Sequence, residues 1–312
     1  MKTNEKEKQI YDTVIVGAGP AGLSASVYLS RYGLSNIVVG DLFGGLTTKT
    51  NDIGNWLGDQ MITGFDFAKK AVDHVKSYGT ELVVARVKDI KQEGIAFALE
   101  LDNGEVVHAK SVLLATGTEH RHLHIPGEAE FAGRGVSYCA TCDGFFFKDK
   151  TVAVVGGNDS AAVASLYLAD IAKKVYIVYR GAELRAEEHW KKRIAERQNI
   201  EVIYNTNITE IKGDSMVTSI MLDVSHNDLN ELPVDGIFVE IGSVPKIDFA
   251  QGLQLALDDA GYIIIDEQGR TSCEGVWAAG DTTTGSNKFK QIITAAAEGA
   301  IAANGVQMWL KK

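Results

Sequence analysis

Two stretches of this chain run through the same order of events, and that repetition limits the fold more than anything else in it. The apolar run Tyr11–Val16 leads into Gly17-Ala18-Gly19-Pro20-Ala21-Gly22, then a helical pattern to about Tyr32, then a second apolar run, Asn36–Val39. Downstream, Thr151–Val155 leads into Gly156-Gly157-Asn158-Asp159-Ser160-Ala161, a helical pattern to about Asp170, and Val175–Tyr179. Val39 stands 22 residues after Gly17, and Val178 the same 22 after Gly156. Strand, glycine turn, helix and strand make a unit that takes a dinucleotide. The first glycine makes the tight turn, the second lets the backbone approach a pyrophosphate, and the third lets helix and strand pack closely. The helix then offers its free N–H groups to the phosphates. Such a fingerprint is weak alone and specific when it sits between a strand and a helix. Two copies predict an α/β chain with two Rossmann-like dinucleotide-binding units.

The copies differ where their ligands should differ. Asp41 lies 19 residues past Gly22, where a carboxylate bonds a ribose hydroxyl, though an aspartate before Gly44-Gly45 also reads as a turn residue. The equivalent position in the second copy is Arg180, with Arg185 close by. An arginine there suits a 2′-phosphate, and that reading stands ahead of a solvated surface. Asn158 replaces the second glycine and puts a side chain where the backbone should approach a pyrophosphate, which predicts reduced nucleotide affinity.

Just before the second copy stands Cys139-Ala140-Thr141-Cys142-Asp143-Gly144. Thiol–disulfide exchange needs an attacking thiolate and a second sulfur within reach, and C-x-x-C supplies both. Asp143 adds a carboxyl that can move a proton to or from a thiol. The competing reading is half of a zinc site, but Cys273 is the only other cysteine. His120, His122 and His124 lack the usual ligand spacing and read as a solvated linker, so no metal site is expected. With 31 Lys plus Arg against 41 Asp plus Glu, the net charge of −10 argues against nucleic acid or an anionic membrane as partner. No apolar run reaches a membrane span, and Met1–Gln9 reads as a charged tail and not a signal peptide. In a reducing cytoplasm a C-x-x-C is catalytic more often than structural.

The remaining pattern predicts a flexible loop over Gly44-Gly45-Leu46-Thr47-Thr48 and an amphipathic helix through Ala68, Ala71, Val72 and Val75. Strands are expected at Glu81–Val87, Ile95–Leu101, Val112–Ala115, Glu201–Tyr204, Met216–Asp223, Val234–Ile241, Ile263–Ile265 and around Val276. Asp102-Asn103-Gly104 reads as a hairpin turn. Gly242-Ser243-Val244-Pro245 reads as a return crossing between domains. An alanine-rich helix closes the chain over about Phe289–Ala303.

Taken together, Gly17 to Gly22, Cys139 to Gly144, the second fingerprint, and Gly280-Asp281 with Lys290-Gln291-Ile292 resemble the low-molecular-weight, bacterial and archaeal type of thioredoxin reductase. The resemblance covers about Asp12 to Ala303 and includes Gly44 to Thr48, Asn55-Trp56, Gly58 and Ala115-Thr116-Gly117. It implies an FAD-binding domain in two parts, 1–121 and 247–312, with an NAD(P)H-binding domain, 122–246, inserted and carrying the dithiol. It implies FAD contacts from Gly17, Gly19, Pro20, Ala21, Gly22, Asp41, Gly44, Gly45, Leu46, Thr47, Asn55, Thr116, Gly117, Gly280, Asp281, Lys290, Gln291 and Ile292. It implies NADPH contacts from Gly156 through Ala161, Arg180 and Arg185. Cys142 would be the sulfur next to the flavin, Cys139 the one that attacks the disulfide of thioredoxin or a thioredoxin-like protein, and Asp143 the acid–base group. A homodimer is the family's usual state. Because dithiol and nicotinamide site share one domain, a rotation must alternate them, with hinges near Thr118–His124 and Gly242–Lys246.

The chain departs from the family pattern in the second copy. Asn158 stands for a glycine, and Tyr179-Arg180-Gly181 for a His-Arg-Arg run. Lys290-Gln291-Ile292 stands for Arg-Gln-Ala, which keeps the charge and loses the planar fork. These departures keep a second donor, ferredoxin, open beside NADPH. A metal-binding or redox-sensing flavoprotein without turnover is the reading from another class.

Overall fold

The computed structural model describes residues 10–49 and 52–311, apart from the side chains of Lys49, Asp52 and Cys142. The expectation for Met1–Gln9 falls outside them. The chain forms two compact units, Met1–Glu119 with Val244–Lys312, and His120–Ser243.

The first unit opens with β1 (Ile10–Val16), α1 (Pro20–Arg31) and β2 (Asn36–Gly40). Val14, Ile15 and Val16 of β1 are all buried, as a central parallel strand requires. The predicted flexible loop is instead one 3-10 turn, Gly45–Lys49. It is held by the Thr47 hydroxyl on the Gly44 carbonyl at 2.6 Å and the Thr48 hydroxyl on the Gly45 carbonyl at 2.8 Å. A small hairpin, β3 (Asp52–Ile53) with β4 (Ile62–Thr63), precedes α2 (Gly64–Ser77), where the Thr63 hydroxyl caps the helix by accepting from the Asp66 N–H. The strand expected at Glu81–Val87 breaks in two, β5 (Glu81–Val84) and β6 (Val87–Glu93). The break turns Arg86 toward Asp41, which its guanidinium meets at 2.8 Å. β7 (Ala96–Leu101) and β8 (Val106–Leu114) follow, joined by the predicted Asn-Gly turn.

β9 (Thr118–His120) stands at the crossing, and the second unit begins at His120. It holds β10 (Val136–Ser137), the single turn α3 (Ala140–Asp143), β11 (Thr151–Val155), α4 (Asp159–Ala169), β12 (Lys174–Val178), α5 (Glu188–Ala195) and β13 (Ile200–Ile203). After these come β14 (Ile208–Gly213), β15 (Val217–His226), β16 (Leu229–Pro233) and β17 (Gly236–Val239). The returning crossing carries β18 (Ser243–Pro245), and the first unit ends with β19 (Val276–Ala278) and α6 (Ile292–Leu310). Ile263–Ile265 is no strand: Ile263 makes only isolated bridges to Leu257 and Thr283. The last helix runs to Leu310, past the expected Ala303.

In the first unit the sheet order is β5-β2-β1-β8-β7-β6; β7 pairs with the N-terminal part of β8 and β19 with its C-terminal end. β5, β2, β1, β8 and β19 are parallel, and the meander β6-β7-β8 is antiparallel. The second unit repeats the parallel core as β10-β17-β11-β12-β13 and adds an antiparallel sheet, β14-β15-β16. In both units the glycine turn leaves the carboxyl end of a central strand, where open α/β sheets take their ligands.

Candidate active site

The dithiol turn belongs to the second unit. Cys139 follows the buried strand β10, and the Asp143 N–H closes one helical turn on the Cys139 carbonyl at 3.2 Å. Cys139 is in a disulfide, and Cys273 is free. The Cys142 side chain lies outside the described residues. Asp143 does not stand alone: the Ser137 hydroxyl donates to its Oδ2 at 2.6 Å and accepts from the Cys139 N–H at 3.1 Å. Ser137 is 5% exposed and ties the carboxylate to the backbone of the sulfur-bearing residue. Nothing in the sequence marked it, because its role depends on a turn bringing positions 137 and 143 together. Just past the turn, Phe145 and Phe146 stand 57% and 63% exposed with ring centroids 3.9 Å apart.

Of the three histidines, His122 and His124 are exposed, as a solvated linker predicts, and His120 is half-buried. His120 stacks on Tyr138 at 5.8 Å, and His122 Nδ1 lies 2.8 Å from the Tyr138 hydroxyl. That hydroxyl also donates to the buried Glu128, whose carboxylate accepts from the Leu123 and His124 N–H groups. Burial and the neighbouring carboxylate push the Tyr138 phenol up. Among the described residues no group of three His, Cys, Asp or Glu side chains is placed to hold a metal ion.

In the first unit a cavity of about 750 Å³ opens at the first glycine turn. Its wall brings together Gly17, Gly19, Pro20, Ala21, Asp41, Gly45, Leu46, Thr47 and Asn55 with Thr116, Gly117, Gly280, Asp281, Lys290, Gln291 and Ile292. Gly22 and Gly44 are not in the wall. A Cβ on Gly22 would stand 1.9 Å from the Gly17 carbonyl oxygen, and one on Gly44 2.3 Å from Ala68 Cβ, so both glycines serve close packing behind it. Arg86 and Lys246 also line the cavity and were not marked by the sequence.

The donor set of this cavity fits FAD. Helix α1 starts at Gly19 with no side-chain cap, so its N-terminus faces the cavity with groups suited to a pyrophosphate. The buried Thr116 hydroxyl has no protein partner. Asp41 stands in the wall with its carboxylate on Arg86. Burial pushes the Asp281 carboxyl up, and Lys290 pulls it partly back. The Lys290 ammonium bonds the Tyr262 hydroxyl at 2.5 Å. The Asn55 amide donates to Gln291 Oε1 at 2.8 Å, joining two predicted contacts across the wall.

The second glycine turn fits its dinucleotide less well. Asn158 is the N-cap of α4, and its Oδ1 accepts from the Ala161 N–H at 3.2 Å. The chain thus supplies its own acceptor where a pyrophosphate would sit. Asp159 accepts from the Glu187 N–H at 2.8 Å, and Ser160 is exposed. The Arg180 and Arg185 side chains are exposed, while the Arg185 N–H donates to the Gly157 carbonyl at 2.6 Å. Gly156 and Gly157 are both buried.

Residues 11–299 match the family described as pyridine nucleotide-disulphide oxidoreductase. A thioredoxin reductase of Listeria innocua is 38% identical over 310 residues, 98% of this chain and 96% of that protein. The crystal structure of Lactococcus lactis thioredoxin reductase matches with a TM-score of 0.85 at 35% identity, covering 96% of this chain and 99% of that one. That of T. acidophilum thioredoxin reductase matches with a TM-score of 0.84 at 36% identity, covering 98% and 100%. With its fingerprints, its dithiol turn and a match along nearly its whole length, this chain belongs to the pyridine nucleotide-disulphide oxidoreductase family.

Proposed function

We infer that this chain is a thioredoxin-disulfide reductase, a flavoprotein disulfide oxidoreductase with FAD as its resident group and NADPH as its electron donor. The observation that carries the reading is the turn Cys139–Gly144, a disulfide-bearing helical turn with a carboxylate fixed beside it through Ser137. When bound, FAD supplies a carrier between a two-electron donor and a disulfide, chemistry that no side chain provides. In the first unit Gly17, Gly19 and the start of α1 would hold its pyrophosphate, and Asp41 with Arg86 would meet its ribose. Asp281, Lys290 and Gln291 would line the rest. In the second unit Cys139 would attack the partner's disulfide, Cys142 would resolve the pair, and Asp143 would hold or release the thiol proton. Arg180 and Arg185 would meet the 2′-phosphate of the donor.

The substrate we propose is thioredoxin or a thioredoxin-like dithiol protein. Phe145 and Phe146 support this, since an exposed aromatic pair beside a reactive sulfur offers a docking face. We also propose a homodimer working in the cytoplasm. An apolar groove of about 310 Å³ in the first unit, lined by Leu23, Val27, Tyr28, Trp56 and Phe67, suits a second copy. Light scattering during gel filtration tests that state. Among the described residues no helix is long and apolar enough to cross a membrane. The domain assignment we propose follows the two units, FAD to the discontinuous one and the donor to the one spanning His120–Ser243.

The test is flavin bleaching by NADPH in the holoprotein, followed by reduction of added oxidised thioredoxin. Protein that purified colourless and stayed so with added FAD would end the reading. A second donor, ferredoxin, is favoured by the Asn158 cap alone. Bleaching by reduced ferredoxin, with none at millimolar NADPH, would transfer the donor role to it.

A further inference from the structure

The dithiol turn has little secondary structure to hold it. β10, from which it leaves, is two residues long and lies at the edge of its sheet, paired to β17. α3 is a single turn. The chain entering it is anchored through side chains on both of its faces, since successive side chains of an extended chain point opposite ways. On one face stands the buried Ser137, bonded to Asp143 and to the Cys139 N–H. On the other stands Tyr138, the residue before the sulfur. Its hydroxyl donates to Glu128 Oε1 at 2.8 Å. Glu128 is 4% exposed, and its two oxygens also accept from the Leu123 N–H at 2.8 Å and the His124 N–H at 2.7 Å. His124 holds φ at +56°, an angle that costs any residue but glycine, while its N–H meets the carboxylate. The phenol has one proton and Glu128 takes it, so His122 Nδ1, 2.8 Å from the same oxygen, is the donor there. An imidazole, a phenol and a buried carboxylate thus form one chain at the residue before Cys139. The roles given above for Cys139, Cys142 and Asp143 make no use of it.

We propose that Glu128 and Tyr138 are positioning residues for Cys139: by bracing the chain that enters the turn, they favour the closed disulfide over the open dithiol. The proposal rests on the reading of Cys139 and Cys142 as an exchanging pair and adds what sets its balance. Opening the disulfide takes two electrons and two protons and frees the sulfurs to part. A backbone fixed at residue 138 keeps Cys139 where the closed pair needs it, which raises the effective concentration of one sulfur at the other. Without the brace the open form gains freedom, and the pair becomes easier to reduce. A bond that held both forms alike would strengthen the fold and leave this balance unmoved, because only a difference between two states shifts their ratio.

The experiment equilibrates the FAD-loaded protein, without oxygen, in glutathione buffers. Two glutathione thiols supply the electrons and protons and leave as one disulfide. Acid quenching, alkylation and mass measurement count the open pairs, while flavin absorbance reports any electrons the flavin takes. Tyr138→Phe, which removes only the hydroxyl, should shift the balance toward the dithiol about 3- to 10-fold, the reach of one hydrogen bond. Glu128→Gln should shift it the same way, and joining the two should add little, because they act as one unit. Tyr11→Phe is the control: it breaks a like bond, to Glu81 at 2.6 Å in the other unit, and should match the parent. Glu128→Gln carries the test alone should Tyr138→Phe not fold. The proposal is overturned if either variant, folded with parental flavin content and near-ultraviolet dichroism, keeps the parental balance. It is overturned equally if the two shifts simply add, or if Tyr11→Phe shifts the balance as far. Thioredoxin takes no part in this equilibrium. A parent that equilibrates with glutathione yet reduces no thioredoxin would sink the thioredoxin reading and leave the brace standing.

Discussion

At the scale of single residues the proposed chemistry depends on how Asp143 is held. Its Oδ2 takes the Ser137 hydroxyl at 2.6 Å, and the same hydroxyl takes the Cys139 N–H. A positioned acid–base group contributes about 100-fold or more. Asp143→Asn should lower the rate of thioredoxin reduction by that order while leaving flavin content and thiol count unchanged. Ser137→Ala should cost less, about tenfold, because the carboxylate survives and only its aim is loosened. The size of the two losses separates the roles, since only the asparagine removes the carboxylate. A second carboxyl matters for stability. Burial raises Glu240 from 4.5 to about 7. The folded state then keeps a proton that the unfolded chain has released, so stability falls as pH rises from about 4.5 to about 7 and levels off above. Glu240→Gln should flatten that segment and leave the protein more stable by about 1–3 kcal/mol at pH 8. Urea unfolding at pH 5 and pH 8 checks it, and equal losses for parent and variant between those two values would refute it.

At the scale of elements the cavity of the first unit depends on α1 and α6 packing closely. Ser24 donates its hydroxyl to the Ala296 carbonyl at 2.7 Å, and a Cβ on Gly299 would stand 2.0 Å from the Ala21 carbonyl oxygen. Gly299→Val should therefore push α6 away from the start of α1, cost about 1–3 kcal/mol, and lower the FAD retained on purification. A thermal melt with flavin absorbance reads both. Gly299 shows what the sequence could not disclose, since its partner lies almost the whole chain away. The elements that were legible had local signatures: the glycine turns, the spacing to Val39 and Val178, the Asn-Gly hairpin and the C-x-x-C. Where side-chain bonds or tertiary contacts decide, the reading failed. Gly44 to Thr48 is rich in turn formers, yet two threonine hydroxyls fold it into a 3-10 turn. Ile263 has the β-branched neighbours of a strand but finds only single bridges. Glu81–Val87 reads as continuous until Arg86 must reach Asp41. The misfit at Asn158 was visible as a departure from the motif; its bond to the Ala161 N–H needed coordinates.

At the scale of the whole molecule the chain leaves one unit at Glu119 and returns at Val244, so any change in the relation between the units is absorbed by two short crossings. Gly242 lies at the second of these. Its φ is +95°, and a Cβ built there would meet no atom within 4 Å. Substitution at this position therefore changes backbone freedom and nothing else. An alanine pays about 1–2 kcal/mol for holding positive φ, and resists in proportion any state that needs that angle. If turnover uses a change of angle at this crossing, Gly242→Ala should lower kcat severalfold. FAD content, NADP⁺ affinity and the rate of thiol exchange with a small disulfide should stay at parental values, because no wall of either site is touched. Gly261→Ala is the matching control, with φ +86° and likewise no atom within 4 Å, but placed away from both crossings. Equal effects from the two would mean that general backbone strain is being measured. A loss confined to Gly242→Ala, appearing in kcat and not in binding, would identify the second crossing as the joint on which the catalytic cycle turns.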